Sequence, residues 1–431
     1  MNGSVVGVES LERLQRDTFM YFLQQSNPFN GLVADTTEPG APASIAIVGF
    51  ALAAYPVGVE RGFLTRAEAV ARTLATLRFF RDSTQGTCAD ATGHQGFYYH
   101  FLDMQSGQRV WQSELSTIDT TFLIAGMLTA AAYFDRDDEA ESEIRGIADA
   151  LYRRVDWRWA QNGGPTVTHG WTPESGFLKF RWEGYDEALL LYALGLGSPT
   201  YPLPDESYAA WTSTFTWRTV YGHDFLYAGP LFIHQFSHLW IDCRGIQDAV
   251  MRDRGIDYFE NSRRATYVQQ QHAILNPGEF SGYGAHCWGI TASDGPGPAE
   301  RRVNGVDRRF FGYRARGVPD GPDDGTLAPW AVVASLPFAP EIALPTMHAC
   351  EQAYPEIKVS YGFAASFNPT YSHAAIGEPP GWVCQVHFGL NQGPNVMMIE
   401  NYRSGLIWRL MRRCPYLVTG LRRAGFTGGW L

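Results

Sequence analysis

Arg181-Trp182-Glu183-Gly184-Tyr185-Asp186-Glu187 runs straight into Ala188-Leu-Leu-Leu-Tyr-Ala-Leu-Gly195-Leu-Gly197-Ser198-Pro199. Glu183, Asp186 and Glu187 crowd the start of a segment that is then apolar on every side. A helix apolar all round is buried inside a larger protein. Gly195, Gly197 and Pro199 are stop signals, so the spacing predicts a buried helix over 183–196. Carboxylates at the mouth of such a helix, flanked by Trp182 and Tyr185, have the make-up of a catalytic acid beside rings on which a sugar packs. The plainer alternative is that they complement the helix dipole.

The same texture extends outward. Residues 45–57 form a second strongly apolar helix with Ser44 placed as N-cap, and 117–134 a third apolar one. Helical spacing recurs over 8–25, 65–81, 139–155, 205–211, 230–251 and 258–275, and Thr65 with Glu68 reads as a capping box. Residues 276–325 are rich in Gly, Pro and Asp, and long loops of that kind are usually functional. Helix returns over 327–354, and Gly393-Pro394 opens a last long helix through Met411. About a dozen helices, mostly in consecutive pairs, with no repeat or linker between them, predict an all-α fold. The expected form is a double-layered (α/α)6 helical barrel, one catalytic domain over residues 1–431, with long loops making a cleft at one mouth.

The 431 residues are 45% hydrophobic and carry a formal net charge of -10. That is ample for a large core, and the acidity argues against nucleic acid as a partner. Aromatics reach 14%, with 13 Trp and 21 Tyr, which suits a carbohydrate cleft because sugar faces pack on rings. The six cysteines are scattered, without a C-x-x-C pair, and read as buried free thiols; a disulfide stays open if the protein is exported. Residues 1–6 lack the basic start and apolar run of a signal peptide. A chain that begins after a removed signal would read the same way, so a periplasmic or secreted location is expected in that case and a cytoplasmic one otherwise. The most apolar run, 45–59, is too short to span a membrane and contains Pro56.

Glycoside hydrolysis needs a carboxylic acid for the leaving oxygen and a second carboxylate as base or nucleophile. Glu187 is the best acid, since burial raises a carboxyl pKa and keeps its proton available. Asp119, a lone acid early in an apolar helix, and Asp294, in a Gly/Pro loop near Trp288, are candidates for the second role; the alternatives are a dipole partner and an Asx turn. Trp182, Tyr185, Trp288, Trp111 and Phe97 are candidate sugar platforms. Glu400, beside Arg403, reads as the structural partner of an arginine. His234 and His238 are spaced like zinc ligands, but Gln235 stands where a zinc protease carries its glutamate. They read as core histidines, and neither a metal nor a cofactor is expected.

With these motifs in hand the sequence resembles the glucoamylase-like family that contains the bacterial endo-β-1,2-glucanases, glycoside hydrolase family 144. The resemblance rests on the order of Ser116 to Gly126, Trp182 to Ala188, Gly195 to Pro199, His234 to Asp242, Gly282 to Pro296, Asp324 to Pro329, and Asn391 to Trp408. It implies an (α/α)6 barrel and an inverting, metal-independent hydrolase of β-1,2-linked glucan, with Glu187 as general acid. One position departs. Where relatives carry an aspartate as the proposed base, this chain has Asn391, and an amide cannot take the proton of an attacking water. Asn391 is therefore kept as a substrate-binding candidate. Three alternatives follow: Asp119 or Asp294 serves as base, the enzyme is exo-acting or transfers glucosyl groups, or the protein binds glucan without cleaving it.

Overall fold

Segments with no polar face become the inner helices of the structure. The computed structural model describes residues 3–88, 90–372 and 381–431, with side chains from residue 10 onward. Residues 373–380, part of the 361–388 stretch expected to be irregular, lie outside the described residues. The helices in chain order are α1 (Gly3–Gln24), α2 (Ile45–Glu60), α3 (Arg66–Asp82), α4 (Thr117–Tyr133), α5 (Glu139–Arg154), α6 (Trp157–Ala160), α7 (Leu189–Gly197), α8 (Glu206–Thr212), α9 (Ala249–Arg254), α10 (Tyr258–Leu275), α11 (Pro329–Ala334), α12 (Pro340–Ala353), α13 (Gly389–Arg403), α14 (Leu406–Met411) and α15 (Pro415–Arg423). α7 and α11 are buried along their whole length, and α2, α4 and α13 along most of it. α3, α5, α10 and α12 bury one face only. The fold is mostly helical, as expected, and no helix among the described residues is long and apolar enough to cross a membrane.

The buried segments touch in sequence. α2 packs on α4, α4 on α7, α11 on α13, and α13 on α2. Two short 3-10 turns, Leu231–His234 and Phe236–Leu239, fill the remaining place. Ser237 Oγ donates to the Glu187 carbonyl (2.8 Å) and accepts from the Leu190 N–H (3.2 Å), while Gln235 Nε2 donates to the Ala331 carbonyl (2.7 Å). At the centre, Phe122 and Trp240 stack at 5.6 Å and 12°, Phe50 lies 5.7 Å from Trp240, and Phe236 lies 6.1 Å from Trp330. One hydrophobic cluster extends from Leu11 to Phe426.

The all-α expectation is corrected in its loops, which form short antiparallel ladders. One five-stranded sheet joins Gly93–His94, Phe97–Tyr99, Leu115–Ser116, Gly170–Thr172 and Gly176–Phe177 in that order. These ladders fix where inner helices begin. Ser44, just before α2, pairs with Phe101, and Ser116, the N-cap of α4, pairs with Tyr98. Leu327, ahead of α11, bridges to Phe367, and Thr36 bridges to Phe388 at the start of α13.

Several boundaries differ from expectation. Gly184 has φ +81°, outside the helical region, so the helix expected from 183 begins at Leu189 and Glu187 sits in the turn ahead of it. The helix expected over 230–251 is replaced by the two 3-10 turns and α9, and the side chains of His234, Gln235 and His238 bond across to other elements. The last helix starts at Gly389, and Gly405, at φ +69°, separates α13 from α14. The capping box at Thr65 and Glu68 is present, whereas Ser44 makes no side-chain cap bond.

α2 and α4 cross backbone to backbone. A Cβ added at Gly126 would stand 2.0 Å from the Gly49 carbonyl oxygen, and one at Gly49 would stand 2.2 Å from the Phe122 carbonyl oxygen. Neither neighbour is a flexible side chain that can swing away. Gly126→Val is therefore expected to cost about 3 kcal/mol or more, at or above the upper end for overpacking. Thermal unfolding followed by circular dichroism measures it, and an unchanged midpoint contradicts the close crossing.

Candidate active site

Four carboxylates from four separate stretches, Asp35, Glu187, Asp119 and Asp294, lie near enough to one group, the phenol of Tyr313, for their charges to add to the rise that burial gives it. Tyr313 is walled in by protein yet 60% exposed. Glu187 and Asp35 are likewise surrounded but keep accessible surface. Dense surroundings combined with access to water describe the wall of a concave site.

Glu187 lies two residues ahead of α7, its carbonyl held by Ser237. Burial pushes its carboxyl up to about 7; a main-chain hydrogen bond draws it down, and the charge of Asp119 adds to the rise. The neighbouring Asp186 is also raised by burial and by Glu187, though it accepts the Ala188 N–H at 3.0 Å. Asp119 stands in the first turn of α4, where its backbone N–H bonds the N-cap Ser116 Oγ (3.1 Å) and its carboxylate accepts the same hydroxyl. His100 Nδ1 is 2.9 Å from Glu114 Oε1 and 3.7 Å from Asp119 Oδ2. Burial alone would lower the imidazole, but Asp119, Glu114 and Asp35 outweigh it and bring it to about 9, so His100 is a cation at neutral pH. Asp35 lies in the loop before α2. Its N–H bonds the Pro42 carbonyl (2.7 Å) and its carbonyl accepts from Gly389 at the start of α13 (2.9 Å). Burial pushes its carboxyl up to about 6, with His100 pulling down and Asp119 pushing up.

The family model Glycoamylase, described as "Putative glucoamylase", matches residues 179–415. The chain belongs to this family. A crystal structure of a family protein from Bacteroides uniformis is 31% identical, with a TM-score of 0.87 over 99% of this chain and 98% of that one. The endo-β-1,2-glucanase from Chitinophaga pinensis, solved with sophorotriose and glucose, is 27% identical, with a TM-score of 0.86 over 99% of both chains. An exo β-1,2-glucooligosaccharide sophorohydrolase from Parabacteroides distasonis is 28% identical over 96% of this chain, which spans 57% of that protein's length.

In this glycoamylase chain the expected site residues divide. Glu187, Asp119 and Asp294 come together at Tyr313. Asn391 is buried in the first turn of α13, its N–H on the Phe388 carbonyl (3.0 Å). Trp111 is 70% exposed at φ +57°, packed 5.2 Å from Phe101, which in turn stacks on His100 at 4.1 Å. Trp111 is thus held exposed and in a sparsely populated backbone region. The other rings are corrected as sugar platforms. Phe97 is 0% exposed and packs on Trp157; Trp288 is 1% exposed and donates Nε1–H to Thr346 Oγ1 (2.8 Å). Tyr185 is buried against Tyr258 and Phe215. Trp182, also buried, donates to Thr117 Oγ1 (2.9 Å) and stacks on His169, so it ties the 181–188 turn to the start of α4. Asp35, His100, Glu114 and Tyr313 escaped the sequence reading. The only local signal at Asp35 was a single acid between the apolar run Leu32-Val33-Ala34 and the buried helix α2.

The remaining candidates serve the core. His234 shares a hydrogen bond with Asn261 (3.4 Å) and His238 with Ser262 Oγ (3.0 Å); burial lowers them to about 4 and about 3. Among the described residues no group of three His, Cys, Asp or Glu side chains is placed to hold a metal ion. Glu400 takes a two-pronged ion pair from Arg61, at 2.8 and 2.7 Å. All six cysteines are free, Cys88 exposed and the rest buried.

The raised carboxyl of Glu187 has a consequence for stability. Below its ordinary value of 4.5 both folded and unfolded chains hold the proton; above it the unfolded chain releases the proton first. Stability present at low pH is thus lost as pH rises through about 7. Glu187→Gln removes this titration. Its thermal midpoint should gain steadily on the wild type between pH 4.5 and 8, and parallel curves across that range contradict the raised value.

Proposed function

We propose that the chain is a glycoside hydrolase acting on β-1,2-linked glucan, with Glu187 as general acid. The single observation that carries this is a carboxyl brought to about 7 by burial, in a concave site shared with three other carboxylates. At neutral pH such a group still offers a proton to the leaving oxygen, while carboxylates in more polar settings stay ionised. That division between acid and base is what glycoside hydrolysis needs. The relatives acting on β-1,2-glucan and its oligosaccharides supply the linkage. The continuous contacts among the buried helices support an (α/α)6 barrel forming one catalytic domain over residues 1–431, with the cleft at the end where Glu187 lies.

In the reaction the Glu187 proton passes to the glycosidic oxygen as its bond to C1 breaks. Water attacks C1 from the opposite face and gives its proton to a carboxylate there, which inverts the anomeric centre. Asp119 and Asp294 are the carboxylates the sequence singles out for that face. The exposed rings of Trp111 and Tyr313 offer sugar platforms at the rim. The protons move between carboxyls, and no step draws on a metal or cofactor. A second reading is exo-action or glucosyl transfer on the same linkage, and Asn391, an amide that takes no proton from water, favours a third, glucan binding without cleavage.

Incubation with linear β-1,2-glucan tests these readings. Short oligosaccharides mean endo cleavage, sophorose alone means exo cleavage, and longer chains mean transfer. Glu187→Gln should keep the fold and substrate binding while turnover falls about 10²- to 10⁴-fold, the usual loss for a general acid. A folded Glu187→Gln protein with full activity, or a wild type that leaves the glucan intact, contradicts the proposal.

A further inference from the structure

The carboxylates that face Tyr313 differ in what already holds them. Asp119 accepts the Ser116 hydroxyl and lies 3.7 Å from the His100 cation. Asp294 has the Cys384 thiol 3.8 Å from Oδ2. Asp35 is anchored only through its main chain, to Pro42 and to Gly389, and among the described residues no side-chain donor is bonded to its carboxylate. Asp35 is partly accessible, and its main chain is tied to Gly389 in the first turn of α13, the turn that carries Asn391. A base needs a free lone pair within reach of water, and a carboxylate already engaged by a donor or a cation is a poorer one.

We propose that Asp35 is the general base of this site, taking the role that Asn391 cannot fill. This assignment rests on the glycosidase reading above. The Asp35 carboxylate accepts a proton from the attacking water as the water oxygen bonds to C1. The C1–oxygen bond to the leaving sugar breaks in the same step, and the Glu187 proton goes to that oxygen. The ionisable groups around Asp35 are His100 after the strand Phe97–Tyr99, Asp119 on α4, Tyr21 on α1 and Tyr313 at the rim. Burial against these groups leaves the carboxyl near 6, ionised at neutral pH but with more affinity for a proton than an ordinary aspartate.

The test compares Asp35→Asn, Asp119→Asn and Asp294→Asn on β-1,2-glucan, with and without sodium azide, folding being checked by circular dichroism. Azide attacks C1 without needing to lose a proton, so it replaces water plus base and leaves a glycosyl azide visible by mass spectrometry. A loss of purely structural origin is not rescued this way. Asp35→Asn should lose at least about a hundredfold in kcat with little change in KM, and azide should restore turnover in that variant alone. Full activity in Asp35→Asn, or azide rescue in one of the other two instead, overturns the assignment while leaving the hydrolase reading intact. A wild type inactive on the glucan overturns both. Should Asp35→Asn fail to fold, the wild type gives a second reading: kcat/KM should rise through an acid limb with its midpoint near 6. A limb well below pH 5 overturns the proposal.

Discussion

The rings of Phe50, Phe122, Phe236, Trp240 and Trp330 meet where α2, α4, the 3-10 turns and α11 come together. Each pair adds roughly 0.5–1.5 kcal/mol beyond the area it buries. Their larger effect is geometric, because they fill the space between the inner segments and leave no room for those segments to slide. The fit tolerates nothing extra at its closest points. A Cβ at Gly393 of α13 would stand 2.4 Å from the Phe50 ring, and the α2–α4 crossing is as tight at Gly49 and Gly126. With the centre filled, the first turn of α4 and the turn ahead of α7 are held where the charge of Asp119 acts on Glu187.

At that end two forces act on every carboxyl in opposite directions. Helix N-termini and neighbouring donors favour the ionised form, and burial favours the neutral one. Burial prevails at Glu187, where the main-chain bond is too weak to offset it. At Asp119 the Ser116 hydroxyl and the His100 cation lie against the carboxylate. At Asp35 burial again raises the carboxyl, and the His100 charge tempers the rise. Groups of one chemical type are thereby set apart in proton affinity by their surroundings, which is how a single site holds an acid and a base together. His100 is central to that separation, since it carries the positive charge among Glu114, Asp119 and Asp35.

The loops do more than connect. Bridges at Ser44–Phe101, Ser116–Tyr98, Thr36–Phe388 and Leu327–Phe367 pin the entry of four inner helices with backbone hydrogen bonds. Pinning by backbone is insensitive to side-chain identity, so the sequence carries little mark of it. The strands and single bridges involved span one to three residues, too short for an alternating pattern to register. The 3-10 turns around His234 and His238 are likewise tied by side-chain bonds to partners in α10 and α11 that lie far away in sequence.

By itself the sequence determined which segments are buried, since a helix apolar on every side has nowhere else to go: 45–57, 117–134 and the run after Glu187 all lie inside. It also marked Glu187, because a carboxyl next to such a run must share its burial, and it paired Glu400 with an arginine, though with Arg61 rather than Arg403. Only the tertiary structure decided which aromatic rings face the core. Trp288 and Phe97 look no different in sequence from Trp111, but Thr346 takes the indole N–H of Trp288 and Trp157 covers Phe97, while Trp111, packed on Phe101, stays 70% exposed. Asp35 is the same case among the carboxylates, placed by Gly389 from the far end of the chain. Periodicity reports the environment a residue shares with its sequence neighbours. The direction a loop side chain faces is set by partners distant in sequence, and those exist only once the chain has folded.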